Sequence, residues 1–191
     1  MARGKKERSI LISEKAELSI VVPIKLDLLA ILLGASIETF PNESISKLFG
    51  NREGNIIYPI IAFPYQVADR TRQSVDFEND GANDVNLYLR KFLGLKLMGD
   101  HHSHPYGREG MSLELSDEDI KDMRNSVNEF QTPYLSLVTA IRRYNTRELR
   151  MVSTENGEIV LAYGRYSTRT AGYQLNQKNG RIKRVKLRLE T

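Results

Sequence analysis

The chain has no cysteine among its 191 residues. Disulfides, thiolate metal sites and cysteine nucleophiles are thereby excluded, and the composition fits a reducing, cytoplasmic setting. Histidine is almost as scarce: there are three, all within residues 101–104. Any histidine-bound metal must be completed by other ligand types. Long apolar runs are missing too. The most hydrophobic window, 18–37, carries Pro23, Lys25 and Asp27 near its middle, and charges there argue against a membrane span. The first residues, Met1 to Lys6, have no apolar signal core behind them, so no secretion signal is expected. No repeat or low-complexity segment is visible.

What is present is ordinary for a globular domain: 40% apolar and 27% charged residues. The length suits one domain, 10–191, behind a disordered basic tail at 1–9. Charge is uneven. Residues 141–191 hold 12 Lys and Arg against 4 Asp and Glu, a net of +8, whereas the remainder holds 16 against 20, a net of −4. A basic C-terminal third suits nucleic acid or an acidic partner, and equally a solvated sheet face.

Hydrophobic periodicity predicts strands mixed with about three helices around one sheet. Leu18 to Val22 reads as a strand, and Pro23 to Glu38 as a helix opened by its proline. Glu43 to Gly50 reads as a short strand. Ile56 to Val67 reads as another, which Pro59 and Pro64 either place at an edge or interrupt. A short helix over Val85–Phe92 closes at Gly94, and Leu95 to His101 is a strand. Residues 105–115 form a loop, Ser116 to Phe130 a helix and Tyr134 to Ile141 a strand. Asn156-Gly157 and Asn179-Gly180 are hairpin-turn signals, and 185–189 alternates as a half-exposed strand does.

Chemistry concentrates at His102-Ser103-His104-Pro105. Residues two apart on a strand share a face, so both imidazoles can reach one ion. Ser116-Asp117-Glu118-Asp119 opens the following helix. Alone, Ser116-x-x-Asp119 is equally a helix cap with an acidic first turn. Together with the histidines it supplies a third ligand, Asp119, and three protein ligands leave one position open, as in catalytic zinc sites. Competing motifs are missing: there is no His-Glu-x-x-His and no Pro-Cys-x-x-Cys, and no later histidine of the kind amidohydrolases use.

His102-Ser103-His104-Pro105 with Ser116-x-x-Asp119 resembles the JAMM (MPN-plus) metalloprotease motif, in a family that includes deubiquitinating isopeptidases. Pro41-Asn42-Glu43, with Gly50 seven residues on, is similar to the family's upstream glutamate segment. The likeness spans roughly residues 15–145, with departures at Ser46, Asp100 and His101 and in the longer 105–115 loop. It implies an α/β fold of the MPN/JAMM kind, a layered, cytidine-deaminase-like mixed central sheet flanked by helices. It implies one Zn2+ per chain on His102, His104 and Asp119, with Glu43 as general base and Ser116 as oxyanion donor. The activity implied is hydrolysis of a peptide or isopeptide bond, with a ubiquitin-like conjugate among the substrates.

Alternatives stand beside this reading. Asp27 and Gly34 repeat the spacing of Glu43 and Gly50, though Asp27 lies inside a helical pattern and is one methylene shorter. Asp117 is a second carboxylate if the longer loop shifts the register. His101 points away from the ligand face. Asp100 shares that face and is either a partner for an imidazole N–H or a solvated strand end. An inactive MPN-like interaction module and a nucleic-acid-associated protein are the competing functions.

Overall fold

The computed structural model describes residues 20–65, 69–70, 75–76, 80–106, 112–130, 133–144, 151–175 and 180–190. The expected basic tail at 1–9, the middle of the 105–115 loop and Asn179 lie outside the described residues.

In chain order the elements are β1 (Val21–Lys25), α1 (Leu26–Thr39), β2 (Ile45–Glu53), β3 (Ile56–Pro64), β4 (Asp69–Arg70), β5 (Val75–Asp76) and α2 (Asp80–Leu93). There follow β6 (Lys96–Tyr106), α3 (Asp117–Phe130), β7 (Tyr134–Arg143), β8 (Met151–Glu155), β9 (Glu158–Tyr163), β10 (Tyr166–Leu175) and β11 (Ile182–Glu190). One nine-stranded sheet runs β1-β11-β10-β7-β6-β2-β3, with β9 on β10 and β8 on β9. β4 and β5 form a separate antiparallel pair.

The helix-flanked α/β layering expected from the resemblance does not form. Strand dominates the described residues, and the sheet curls until β1 and β3, the two ends of its path, lie side by side, giving a nearly closed, barrel-like wall. Two features drive this. The basic C-terminal third contributes β8 to β11, so the sheet is far larger than three helices can flank. Parallel pairing of β1 with β11, Val21 to Lys186 through Lys25 to Glu190, then carries one end of the sheet around toward the other. Twist accumulating over many strands favours such closure.

α1 packs on one face of the curved sheet. Its buried residues Leu28, Leu29, Leu32, Leu33, Ala35 and Ser36 form a stripe at helical spacing. The four leucines pack with Val22, Ile24, Leu48, Met98, Leu135, Leu137, Val185 and Leu187. Each buried leucine contributes about 1.5–3 kcal/mol of hydrophobic stabilisation. α1 begins three residues later than Pro23 suggests, because Pro23 and Ile24 are drawn into β1. Pro23 is tolerated there because β1 has a ladder on one side alone. Of the two outcomes expected for the prolines of β3, the edge position is found, since β3 ends the path.

On the opposite face Met123 of α3 packs with Tyr134, Val138, Ala140, Ala171, Tyr173 and Leu175, joined by Leu113 and Leu115 from the loop. A bulge in β6 separates the faces: Leu48 pairs with Gly99 but Phe49 pairs with Leu97, so Met98 is extra. Met98 therefore joins the α1 side, while Leu97 packs with Phe49 and with Leu89 of α2. At Gly99 a Cβ would lie 1.8 Å from the Leu135 carbonyl oxygen, so the close approach of β6 and β7 requires glycine. The turn at Asn156-Gly157 forms as expected, with φ of 52° and 80°.

Candidate metal centre

β6 is longer than its sequence suggests. It continues through Pro105 to Tyr106, paired in parallel with β7 from Gly99–Leu135 to Tyr106–Arg142. Asp100, His102, His104 and Tyr106 thus form one stripe on the face that α3 covers. Cross-strand neighbours on that face are Ser136, Val138 and Ala140 of β7 and Ile45 and Lys47 of β2.

α3 delivers the third group. Leu113 and Leu115 are buried against β7 and β10, and the Tyr173 hydroxyl donates to the Leu113 carbonyl at 2.7 Å. That anchorage fixes where α3 starts. Ser116 is its N-cap: the Ser116 hydroxyl accepts the Asp119 N–H at 3.1 Å and donates to Asp119 Oδ2 at 2.7 Å. The Ser116 N–H donates to the same oxygen at 2.7 Å. This reciprocal arrangement holds the Asp119 carboxylate with Oδ1 turned to His102.

His102 Nε2 lies 3.4 Å from Asp119 Oδ1, and His104 Nε2 lies 3.9 Å from Asp119 Oδ2. The two rings are 5.0 Å apart. One ligand atom from each of His102, His104 and Asp119 falls within 4.8 Å of the others, so this group can hold a metal ion. His102 Nε2 is buried and has no hydrogen-bond partner among the described residues. A buried polar atom in native structures is normally paired, and an ion shared by these three groups satisfies it. The residues therefore fit a metal bound by two imidazoles and one carboxylate.

Electrostatics agree with a tightly coupled cluster. Burial opposes a charge on His102, but the facing carboxylates of Asp100 and Asp119 outweigh it and push the pKa up to about 10. Burial would raise Asp119, yet His102 and Ser116 hold its carboxyl well below the usual range. Burial, together with the charge of His102, lowers His104.

Glu43 joins by way of its neighbour. Ser103 N–H donates to the Ser44 carbonyl at 3.0 Å, and the Ser44 N–H and hydroxyl both donate to Ser103 Oγ at 2.9 Å. These bonds continue the β2–β6 register, in which Ile45 faces His102, by one further place, to Ser44 and Ser103. Glu43, next to Ser44, lies near enough to the cluster for His102 and Asp119 to act on its carboxyl. Burial raises its pKa to about 7, with His102 opposing and Asp119 reinforcing the shift. Asp27, the rival, is exposed in the first turn of α1, where its Oδ1 accepts the Leu28 N–H at 2.8 Å. It is not among the groups that perturb the cluster. Asp117 is exposed and lies outside the convergent group.

His101 points to the α1 side as expected. It is buried, with Nε2 3.0 Å from Thr139 Oγ1, which in turn meets Thr170 Oγ1 at 2.8 Å. Burial, and then the charge of His102, pushes its pKa down to about 3. Ser44, Ser103, Ser136 and Tyr106 escaped the reading of the sequence. The signal available for Tyr106 was the two-residue period of Asp100, His102 and His104 carried one step further. The basic third is partly internal: Arg169 and Arg184 converge on the buried Glu158 carboxylate.

No family model and no curated protein matches the chain. Among solved structures it is similar to that of protein DSY2949 from Desulfitobacterium hafniense, determined in solution, with a TM-score of 0.53 at 17% identity. The match covers 90% of this chain and 93% of that one. At that identity the likeness shows the fold alone. No helix among the described residues is long and apolar enough to cross a membrane.

Proposed function

We propose that this chain is a zinc-dependent hydrolase of peptide or isopeptide bonds with a JAMM-type site, acting on a protein or peptide substrate, a ubiquitin-like conjugate among the candidates. The observation that carries the reading is the convergence of His102, His104 and Asp119 within 4.8 Å, with Glu43 near enough for His102 and Asp119 to act on its carboxyl. The proposal rests on the site and takes nothing from the layered fold first expected.

His102, His104 and Asp119 would hold the metal. Bound there, zinc supplies a Lewis acid that polarises a carbonyl and makes water more acidic. Glu43 takes a proton from the attacking water and passes it to the leaving amine. A carboxylate with a pKa near 7 suits both transfers at neutral pH. Ser116 steadies the developing oxyanion by turning its hydroxyl from Asp119, whose Oδ2 keeps the Ser116 N–H. The Ser44–Ser103 bonds keep Glu43 in register, and a misplacement of about 1 Å can cost roughly a hundredfold in rate.

The test is cleavage of peptide and isopeptide-linked conjugates by the zinc-loaded protein. Cleavage abolished by a chelator and restored by zinc supports the reading. A zinc-loaded protein inert toward every peptide and isopeptide conjugate favours the interaction module instead.

A further inference from the structure

β6 carries more than ligands. Asp100, His102, His104 and Tyr106 alternate on one face of an eleven-residue strand. His102 turns Nδ1 toward Asp100 Oδ1, 3.8 Å away, and leaves Nε2 for the cluster. His104 turns Nδ1 toward the Tyr106 hydroxyl, 3.4 Å away, and likewise leaves Nε2 for Asp119. Asp100 is itself fixed, since the Ser136 hydroxyl of the adjacent strand donates to its Oδ1 at 2.8 Å. Lys47, its cross-strand partner on β2, lies on its other side.

The two rings thus have the same polarity: each Nε2 faces the Asp119 carboxylate and each Nδ1 faces an oxygen two residues away on the same strand. A ligand imidazole must be neutral, so one nitrogen carries the proton and the other binds. An acceptor at Nδ1 selects the tautomer whose Nε2 is bare, and fixes the ring plane. A strand spaces such partners automatically, because every second side chain stands on the same face.

We infer that Asp100 and Tyr106 are positioning residues for the metal centre, Asp100 (braced by Ser136) orienting His102 and Tyr106 orienting His104, so that one strand supplies both the two histidine ligands and their supports. This deepens the proposed metal site and rests on it.

The experiment measures zinc affinity by competition with a chromophoric chelator, and histidine tautomers by long-range proton–nitrogen correlation spectra of the full chain. Three histidines keep those spectra simple. Asp100→Ala is expected to weaken zinc about 10- to 100-fold and to remove the slowly exchanging Nδ1 proton of His102. Asp100→Asn keeps an acceptor oxygen and is expected to recover most of that loss. Tyr106→Phe is expected to weaken zinc and to alter the His104 signals while sparing those of His102. Should Asp100→Ala fail to fold by circular dichroism, Ser136→Ala and Tyr106→Phe carry the same test. Wild-type affinity with unchanged Nδ1 protons in these variants overturns the inference and leaves the metal site standing. A wild-type chain that takes up no zinc overturns both.

Discussion

Ser44 and Ser103 face each other across β2 and β6 and share three hydrogen bonds, of 2.9, 2.9 and 3.0 Å, in a fully buried setting. The Ser44 hydroxyl also lies 3.2 Å from that of Ser36 in α1, which donates to the Leu32 carbonyl. A line of hydroxyls therefore runs from the central helix to the strand bearing the histidines. It holds Ser44, the neighbour of Glu43, to the strand of His102 and His104.

Ser103→Ala removes the acceptor for both the Ser44 N–H and the Ser44 hydroxyl. Buried donors left without partners cost about 1–3 kcal/mol. Equilibrium denaturation should record a loss of that size, and kcat should fall with it because Glu43 is no longer held in register. An unchanged midpoint would deny the bonds any role in stability.

Glu43→Gln keeps shape and removes the base. Zinc content should stay at the wild-type level, while turnover of any cleaved substrate falls about 100- to 10,000-fold. Asp27→Asn, exposed at the start of α1, should leave turnover alone. The reverse ranking in a steady-state assay would transfer the role to Asp27.

Metal uptake should be linked to protons. Without metal, the pKa of His102 is raised to about 10 despite burial, through Asp100 and Asp119. The ring therefore carries a proton at pH 7 that a ligand nitrogen cannot keep. Zinc affinity should rise about tenfold per pH unit from pH 7 toward 10, with about one proton released per ion. The apo protein follows the opposite sign. Stabilisation from charged His102 is complete below the unfolded value of about 6.5 and is lost as pH rises through about 10. Calorimetry in buffers of different ionisation enthalpy measures the proton count, and a count of zero contradicts the coupling.

Two glycines should respond in opposite ways to alanine. At Gly99 the new methyl meets the Leu135 backbone at 1.8 Å, and the β6–β7 ladder must shift. A loss of about 3 kcal/mol or more is expected. At Gly34, exposed in the middle of α1 with nothing within 4 Å of the added Cβ, a gain of about 0.5–1 kcal/mol is expected. Thermal melts of the two variants give the comparison directly.

The site was more legible in the sequence than the fold. His102 and His104 belong to one strand, and Asp119 follows within a single loop, so short-range periodicity was enough to bring them together. Ser116 was open to two readings, and its reciprocal bonds with Asp119 make it a cap. Glu43 is tied to the histidine strand through its neighbour Ser44, whose partner Ser103 lies 59 residues away. The closing of the sheet depends on Val21 meeting Lys186, a contact that no local pattern announces. The length of β6 was hidden by Pro105, which usually ends a strand. Here β7 pairs with it in parallel and carries it on to Tyr106. Helix α2 starts at Asp80, five residues before the Val85 start expected from the sequence.

The metal itself is the most direct test. Full-length protein, dialysed against zinc and then freed of excess ion, is analysed for metal beside His102→Ala and Asp119→Ala. One zinc per wild-type chain and a large loss in both variants is the predicted result. No zinc in the wild type, or a full equivalent retained after His102→Ala, would contradict the assignment of His102, His104 and Asp119 as a metal centre.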